Sequence, residues 1–266
     1  MDLGADWGVA VEPCDPAAWE AAGDEGPVDG QERDGNSFVW KKSTFALNRF
    51  WTIWLNPTPD RPHIYPPSDG RVGGTGAWGG SKYQRTVAVG HFTHLSTGAV
   101  VVAFSGHLDH AGFDDLRDEQ HHSHIRSERS NSAHLIMTEA LRELENQHTV
   151  VVMGDFNTFL DRSGACYRAL LNGANGKLMD VRDAPGAEIN RGRQDSTWEG
   201  WECNPWCRSK NRNGNSRLDQ MFCSLNVTVY RTFVSEEQFS IEWDSETENV
   251  YASDHLPIVA DICLGS

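Results

Sequence analysis

Three apolar runs in this chain meet the same kind of polar cluster, and no other feature constrains the fold as much. VVVAFSGHLDH, starting at Val100, runs into His107 and Asp109, and VVVMGDFN, starting at Val150, runs into Asp155 and Asn157. In ASDHLPIVADI, from Ala252 to Ile262, the polar pair Asp254 and His255 stands ahead of the apolar stretch. A fourth segment, RLDQMF, places Asp219 inside an otherwise apolar strand. Short β-branched runs of this kind read as buried strands. An unpaired carboxylate or imidazole is costly to bury, so these groups belong at strand ends that open onto a cleft. Each cluster alone also reads as a turn or a surface contact, since Gly, Asp and Asn all favour turns. The recurrence in four segments points to one shared site.

The rest of the chain fits strands with a few helices. QRTVAVGHFTHL and AVVVAFSGHL, joined at Ser96-Thr97-Gly98, read as a hairpin. Ala133, Ile136, Met137, Ala140, Leu141 and Leu144 recur at three- and four-residue steps and predict a helix over 128–146. SGACYRALLNG reads as a short helix. Short strands are expected at Trp7–Val11, at SFVWKK and from FAL at 45–47, followed by a long Pro- and Gly-rich loop. No fixed-period repeat and no clear linker interrupts residues 1–266, which read as a single domain of the α+β class built on packed sheets.

The formal net charge of −15 argues against a general basic surface for nucleic acid. It leaves room for a local basic groove, and it suits a small phosphoester or a carboxylate-rich site that recruits a divalent cation. No apolar run is long enough to span a membrane, and the first residues carry no basic-then-apolar signal. Cys203 and Cys207 form a C-x3-C without a second pair beside it, a poor zinc signature that reads better as loop cysteines. His121, His122 and His124 lie in the charged stretch RDEQHHSHIRSER and read as a solvated loop rather than a metal tract. Trp198, Trp201 and Trp206 fit loop packing or a stacking surface for a base, sugar or lipid headgroup.

Carboxylates and an amide oxygen are hard ligands suited to Mg²⁺ or Mn²⁺. A histidine beside a metal-binding aspartate can deprotonate water near neutral pH. A second aspartate on its far ring nitrogen would fix the tautomer. A further histidine and an asparagine could donate to a phosphoryl oxygen as charge builds there. These are the parts of a metal-assisted phosphoester hydrolysis.

HLDH, GDFN, LDQMF and SDHLPI, in that order, resemble the endonuclease/exonuclease/phosphatase (DNase I-like) superfamily. FALNRFWTIWLNPTPDRP and YQRTVAV resemble two further segments of that family, so the likeness runs from about residue 36, or from Trp7 at its widest, to Ile262. The resemblance implies a four-layer α/β/β/α sandwich of two packed mixed sheets with a site at one end. It implies that Asp254 and Asp155 hold the metal, Mg²⁺ or Mn²⁺, and that His255 is the general base. Asp219 would orient His255, Asp155 and Asn157 would position nucleophile and phosphate, and His107 would stabilise developing charge. Arg85 would face the phosphate together with Asn157 and His107. The implied partner is a phosphoester, a small molecule rather than duplex DNA, and the chain would act as a monomer. The family's opening strands, one bearing an Asn and one ending in a QE pair, have no counterpart; Glu12, Glu20, Glu25 and Glu32 stand in a different context. The domain is therefore expected to be incomplete at its N-terminus. A catalytically impaired remnant or binding protein of the same fold is the alternative to an active hydrolase.

Overall fold

The computed structural model describes residues 4–11, 36–60, 85–108, 119–158, 165–190, 197, 218–235, 237–243, 246–250, 253 and 255–264. Its strands are β1 (Trp7–Val11), β2 (Ser37–Lys41), β3 (Phe45–Trp54), β4 (Thr86–His94), β5 (Val100–His107), β6 (Thr149–Asp155) and β7 (Leu178–Asp180). They continue with β8 (Glu188–Asn190), β9 (Asp219–Ser224), β10 (Thr228–Val234), β11 (Phe239–Trp243), β12 (Glu246–Val250) and β13 (Ile258–Cys263). Two helices, α1 (Glu119–Glu145) and α2 (Ala165–Gly173), follow β5 and β6 respectively.

The central sheet has six strands in the order β3-β4-β5-β6-β9-β7. β5 and β6 pair parallel, and the other neighbours pair antiparallel. A parallel pair buried on both faces explains why VVVAF and VVVM are continuously apolar rather than alternating. Val87, Val89, Val102, Phe104, Val150, Val152 and Phe222 face the helices and pack with Ile136, Met137, Tyr167 and Leu170. Alternate residues point the other way. Val101, Val151 and Cys223 meet Val229 of a three-stranded mixed sheet, β13-β10-β8. Ala88, Phe92 and Ala103 meet Phe38 of the β1–β2 pair, where Phe38 and Phe92 stack edge to face at 5.6 Å. The expected α+β sandwich of packed mixed sheets is the architecture found. Both described helices cover the same outer face of the central sheet.

Three local expectations change. β3, expected as a short strand opening at FAL, runs ten residues to Trp54, and a bulge between Leu47 and Arg49 inverts which residues face inward. Phe45 and Leu47 pack toward Phe38, whereas Trp51 and Ile53 pack toward the helices. α1 begins at Glu119, so His121, His122 and His124 belong to a helix rather than a loop. Asp219 is the first residue of β9, at its edge and not within it.

The strand directions place the site. β5 and β6 end side by side because they are parallel. β4 and β9 start at that same end because each runs antiparallel to its neighbour. Arg85, His107, Asp155 and Asp219 therefore arrive together, and His107, Asp155 and Asp219 occupy one cross-strand row. The preceding row pairs Gly106 with Gly154. Gly154 has φ 145°, and a Cβ there would overlap the carbonyl oxygen of Gly106; a Cβ on Gly106 would lie 2.9 Å from Val87 Cγ2. Gly154→Ala is expected to destabilise the fold by about 3 kcal/mol or more. Urea unfolding of that variant checks the expectation; a wild-type midpoint would show that the two backbones need not approach so closely.

Candidate active site

Residues in one cross-strand row share a face of the sheet. His107, Asp155 and Asp219 thus project from the same face as Val101, Val151 and Cys223, at the end of the core between the sheets. The chain entering β13 closes that end and brings His255. It is held by Leu256, whose N–H donates to the Thr197 carbonyl at 2.7 Å, while Thr197 Oγ1 accepts from the Asp219 N–H at 3.0 Å. Thr197 is fully buried. Sequence reasoning missed it, since a lone Thr in DSTW carries no signal. It also missed Ser253, whose Oγ accepts the His255 N–H at 3.1 Å. Ser two residues ahead of that donor is the signal that could have found this turn.

The polar contacts assign the proton positions. His255 Nδ1 lies 2.7 Å from Asp219 Oδ2. An ionised carboxylate only accepts, so Nδ1 carries a hydrogen, and in the neutral imidazole Nε2 then holds the lone pair. That lone pair lies 3.7 Å from Asp155 Oδ2. On the other side of Asp155, His107 Nε2 lies 3.4 Å from the same oxygen. Arg85, buried at 4% exposure, sends Nη1 to His107 Nδ1 at 3.2 Å. Arginine only donates, so His107 presents Nε2–H to Asp155.

Asn157 follows β6 with φ 44°, a left-handed conformation that Asn tolerates better than most residues. Its N–H donates to Asp155 Oδ1 at 2.8 Å and its Nδ2 to the Leu108 carbonyl at 2.9 Å. The DFN segment is therefore a side-chain-capped turn, and it stands beside His107 and His255. Asn36 reaches the start of β4, donating from Nδ2 to the Thr86 carbonyl at 3.0 Å.

Burial pushes the Asp155 carboxyl above its ordinary 3.8, and the negative charge of Asp219 pushes it further. His107, His255 and the Asn157 N–H pull it back. Among the described residues, one group of three or more candidate ligands gathers its donor atoms within 4.8 Å, namely Asp155, Asp219 and His255. Asp155 and Asp219 bring two like charges close together beside His255, and a cation or a proton would balance them. That donor set fits a divalent metal ion.

Six of the seven residues expected at the site from the sequence, Arg85, His107, Asp155, Asn157, Asp219 and His255, converge here. Asp254 lies outside the described residues, as do Trp198, Trp201, Trp206, Cys203, Cys207 and the side chains of His121, His122 and His124.

The same architecture occurs in solved structures. A mannosyl-6-phosphatase from Bacteroides thetaiotaomicron superposes with a TM-score of 0.65 at 20% identity, covering 98% of this chain and 78% of that one. An endonuclease/exonuclease/phosphatase from Bacteroides vulgatus gives 0.64 at 20% identity, covering 97% and 77%. D. rerio TDP2 complexed with single-strand DNA product gives 0.51 at 15% identity, covering 88% and 75%. At these identities the likeness shows the fold alone. No curated protein matches the sequence. The model of the Endonuclease/Exonuclease/phosphatase family matches residues 9–255, and the chain belongs to that family.

Proposed function

We propose that this chain is a divalent-cation-dependent phosphoesterase that hydrolyses a small phosphoester with water activated by His255. The observation that carries the reading is the His255 geometry. Asp219 takes Nδ1–H at 2.7 Å, and the Nε2 lone pair faces Asp155 across 3.7 Å. A water held beside both atoms, off the line that joins them, would give its proton to Nε2, and Asp219 would stabilise the imidazolium that results. Asp155 would orient that water. His107, its Nδ1 occupied by Arg85, directs Nε2–H toward Asp155, and a phosphoryl oxygen bound beside that carboxylate would share the donor as charge develops in the transition state. The buried Arg85 charge strengthens that donor. Asn157 spends one amide hydrogen on Leu108 and retains a second for a phosphoryl oxygen.

Asp155 would hold the cation, with Asp254 beside His255 in sequence as a further ligand, and the hard oxygen set favours Mg²⁺ or Mn²⁺. When bound, such an ion supplies positive charge to a phosphoryl oxygen and lowers the pKa of water. The family description spans nucleases and phosphatases. The net charge of −15 favours a small substrate over duplex DNA. Among the described residues no helix is long and apolar enough to cross a membrane.

Hydrolysis of an aryl phosphomonoester and an aryl phosphodiester tests the reading. Turnover should require Mg²⁺ or Mn²⁺, vanish in EDTA, and fall by about 100-fold or more in His255→Ala. A folded wild-type chain with no turnover above that variant in either metal would overturn it and leave a binding protein or remnant of the fold.

The raised Asp155 carboxyl has a consequence for stability. Its folded-state pKa exceeds the unfolded 3.8, so ionising it opposes folding. The opposition is absent below pH 3.8, grows as pH rises through the folded value, and is complete above it. Asp155→Asn keeps an oxygen for the Asn157 N–H but carries no charge. In EDTA at neutral pH this variant should melt higher than wild type, by about 2–4 °C per kcal/mol relieved, with the gain disappearing in strong acid. An unchanged or lower melting temperature at neutral pH would contradict the electrostatic account.

A further inference from the structure

We infer that Arg129, on the helix that crosses behind the central sheet, is a positioning residue that sets Asn157 and, through it, the Asp155 carboxylate. The inference rests on the phosphoesterase reading for its consequence in catalysis, and on geometry for the positioning itself.

Arg129 lies in α1 and sends Nη1 to the Asn157 carbonyl at 2.6 Å. With that bond, three groups of Asn157 are fixed at once. Its N–H is on Asp155 Oδ1, its Nδ2 is on the Leu108 carbonyl, and its carbonyl is on Arg129. Asn157 is 3% exposed, and its φ of 44° is one that a non-glycine residue keeps only when its surroundings impose it. Leu108, the acceptor for Nδ2, donates its own N–H to the Asp155 carbonyl at 2.9 Å. The ends of β5 and β6 are thereby tied to each other through Asn157. The guanidinium supplies the tie that comes from outside that loop. A charged donor to a carbonyl is stronger than a neutral one, and it pins the peptide whose other neighbours touch the reacting groups.

The second helix reinforces this from the same side. Cys166 of α2 is buried, its thiol shares a hydrogen bond with Thr158, and the Arg129 charge lies close enough to influence it. Burial pushes that thiol up to about 12, so it stays a neutral packing group. α1 and α2 therefore hold the Asn157–Thr158 segment from behind, while the segment's front edge faces the site.

A helix-to-loop contact that served only stability would lower the melting temperature and leave the chemistry intact. A positioning role makes a different set of expectations. In Arg129→Met, kcat should fall by about 10- to 100-fold with KM changed much less. Arg129→Lys should recover part of the loss, and added guanidinium ion should rescue Arg129→Met saturably. Arg142→Met, an exposed site on the same helix, should leave kcat at the wild-type value. Amide hydrogen exchange gives a readout independent of activity. The Asn157 N–H should exchange about tenfold faster or more in Arg129→Met, with Val152 and Phe222 unchanged. Faster exchange at Asn157 together with a kcat loss supports the inference. Wild-type exchange at Asn157 overturns it, whatever kcat does. If the wild-type chain hydrolyses no phosphoester, the functional reading fails and exchange alone decides the positioning. If Arg129→Met does not fold, the same two measurements are made on Arg129→Gln, which lacks the charge, where faster exchange at Asn157 supports the inference and wild-type exchange overturns it.

Discussion

The candidate site depends on the parallel pairing of β5 with β6, carried in unbroken register from Val101↔Thr149 to His107↔Asp155. Antiparallel β9 extends the last row to Asp219. A slip of one residue in either pairing would turn one of these side chains to the helix face. The register is protected by the alternating apolar residues, because Val102, Phe104, Val150 and Val152 belong to the core on the helix side of the sheet. It is also protected by Gly106 and Gly154, which let the backbones close just before the polar row. The core and the site are therefore one construction, with packing fixing the positions at which polar groups emerge.

Those groups are arranged at a cost to the fold. Asp155 is half-buried beside a second carboxylate, and its ionisation is opposed by both the desolvation and the neighbouring charge. Two histidines with assigned tautomers stand on either side of it, one offering N–H and one offering a lone pair. An asymmetric pair of this kind separates a donor role from an acceptor role within a few ångströms. The asymmetry comes from their partners, since Arg85 can only donate to His107 and Asp219 can only accept from His255. A divalent cation would relieve the repulsion that folding leaves behind, which links metal binding to stability as well as to chemistry.

Much of this was legible in the sequence, for identifiable reasons. The β-branched runs before His107 and Asp155 announced buried strands, and the polar residues ending them are brought to one end of the sheet. The proposed roles of those residues came from motif likeness and not from periodicity. What stayed hidden was set by long-range partners. β7 and β8 are three residues each, and they count as strands only because β9 and β10 pair with them. β3 looked short because its bulge inverts the alternation that a period-two reading relies on. The first turns of α1, EQHHSHIRS from Glu119 to Ser127, carry no apolar stripe to signal a helix. Thr197 and Arg129 act through a backbone carbonyl or N–H of a distant residue, and such contacts leave no pattern along the chain.

The most direct test of the account is titration of the purified, metal-free chain with Mn²⁺, followed by electron paramagnetic resonance of the free ion. The account expects the free-ion signal to be suppressed until about one equivalent is bound, with that suppression lost in Asp155→Asn. A signal unaffected by the wild-type chain, or suppressed equally by Asp155→Asn, would contradict the claim that the acceptors gathered at the end of the sheet form a cation site.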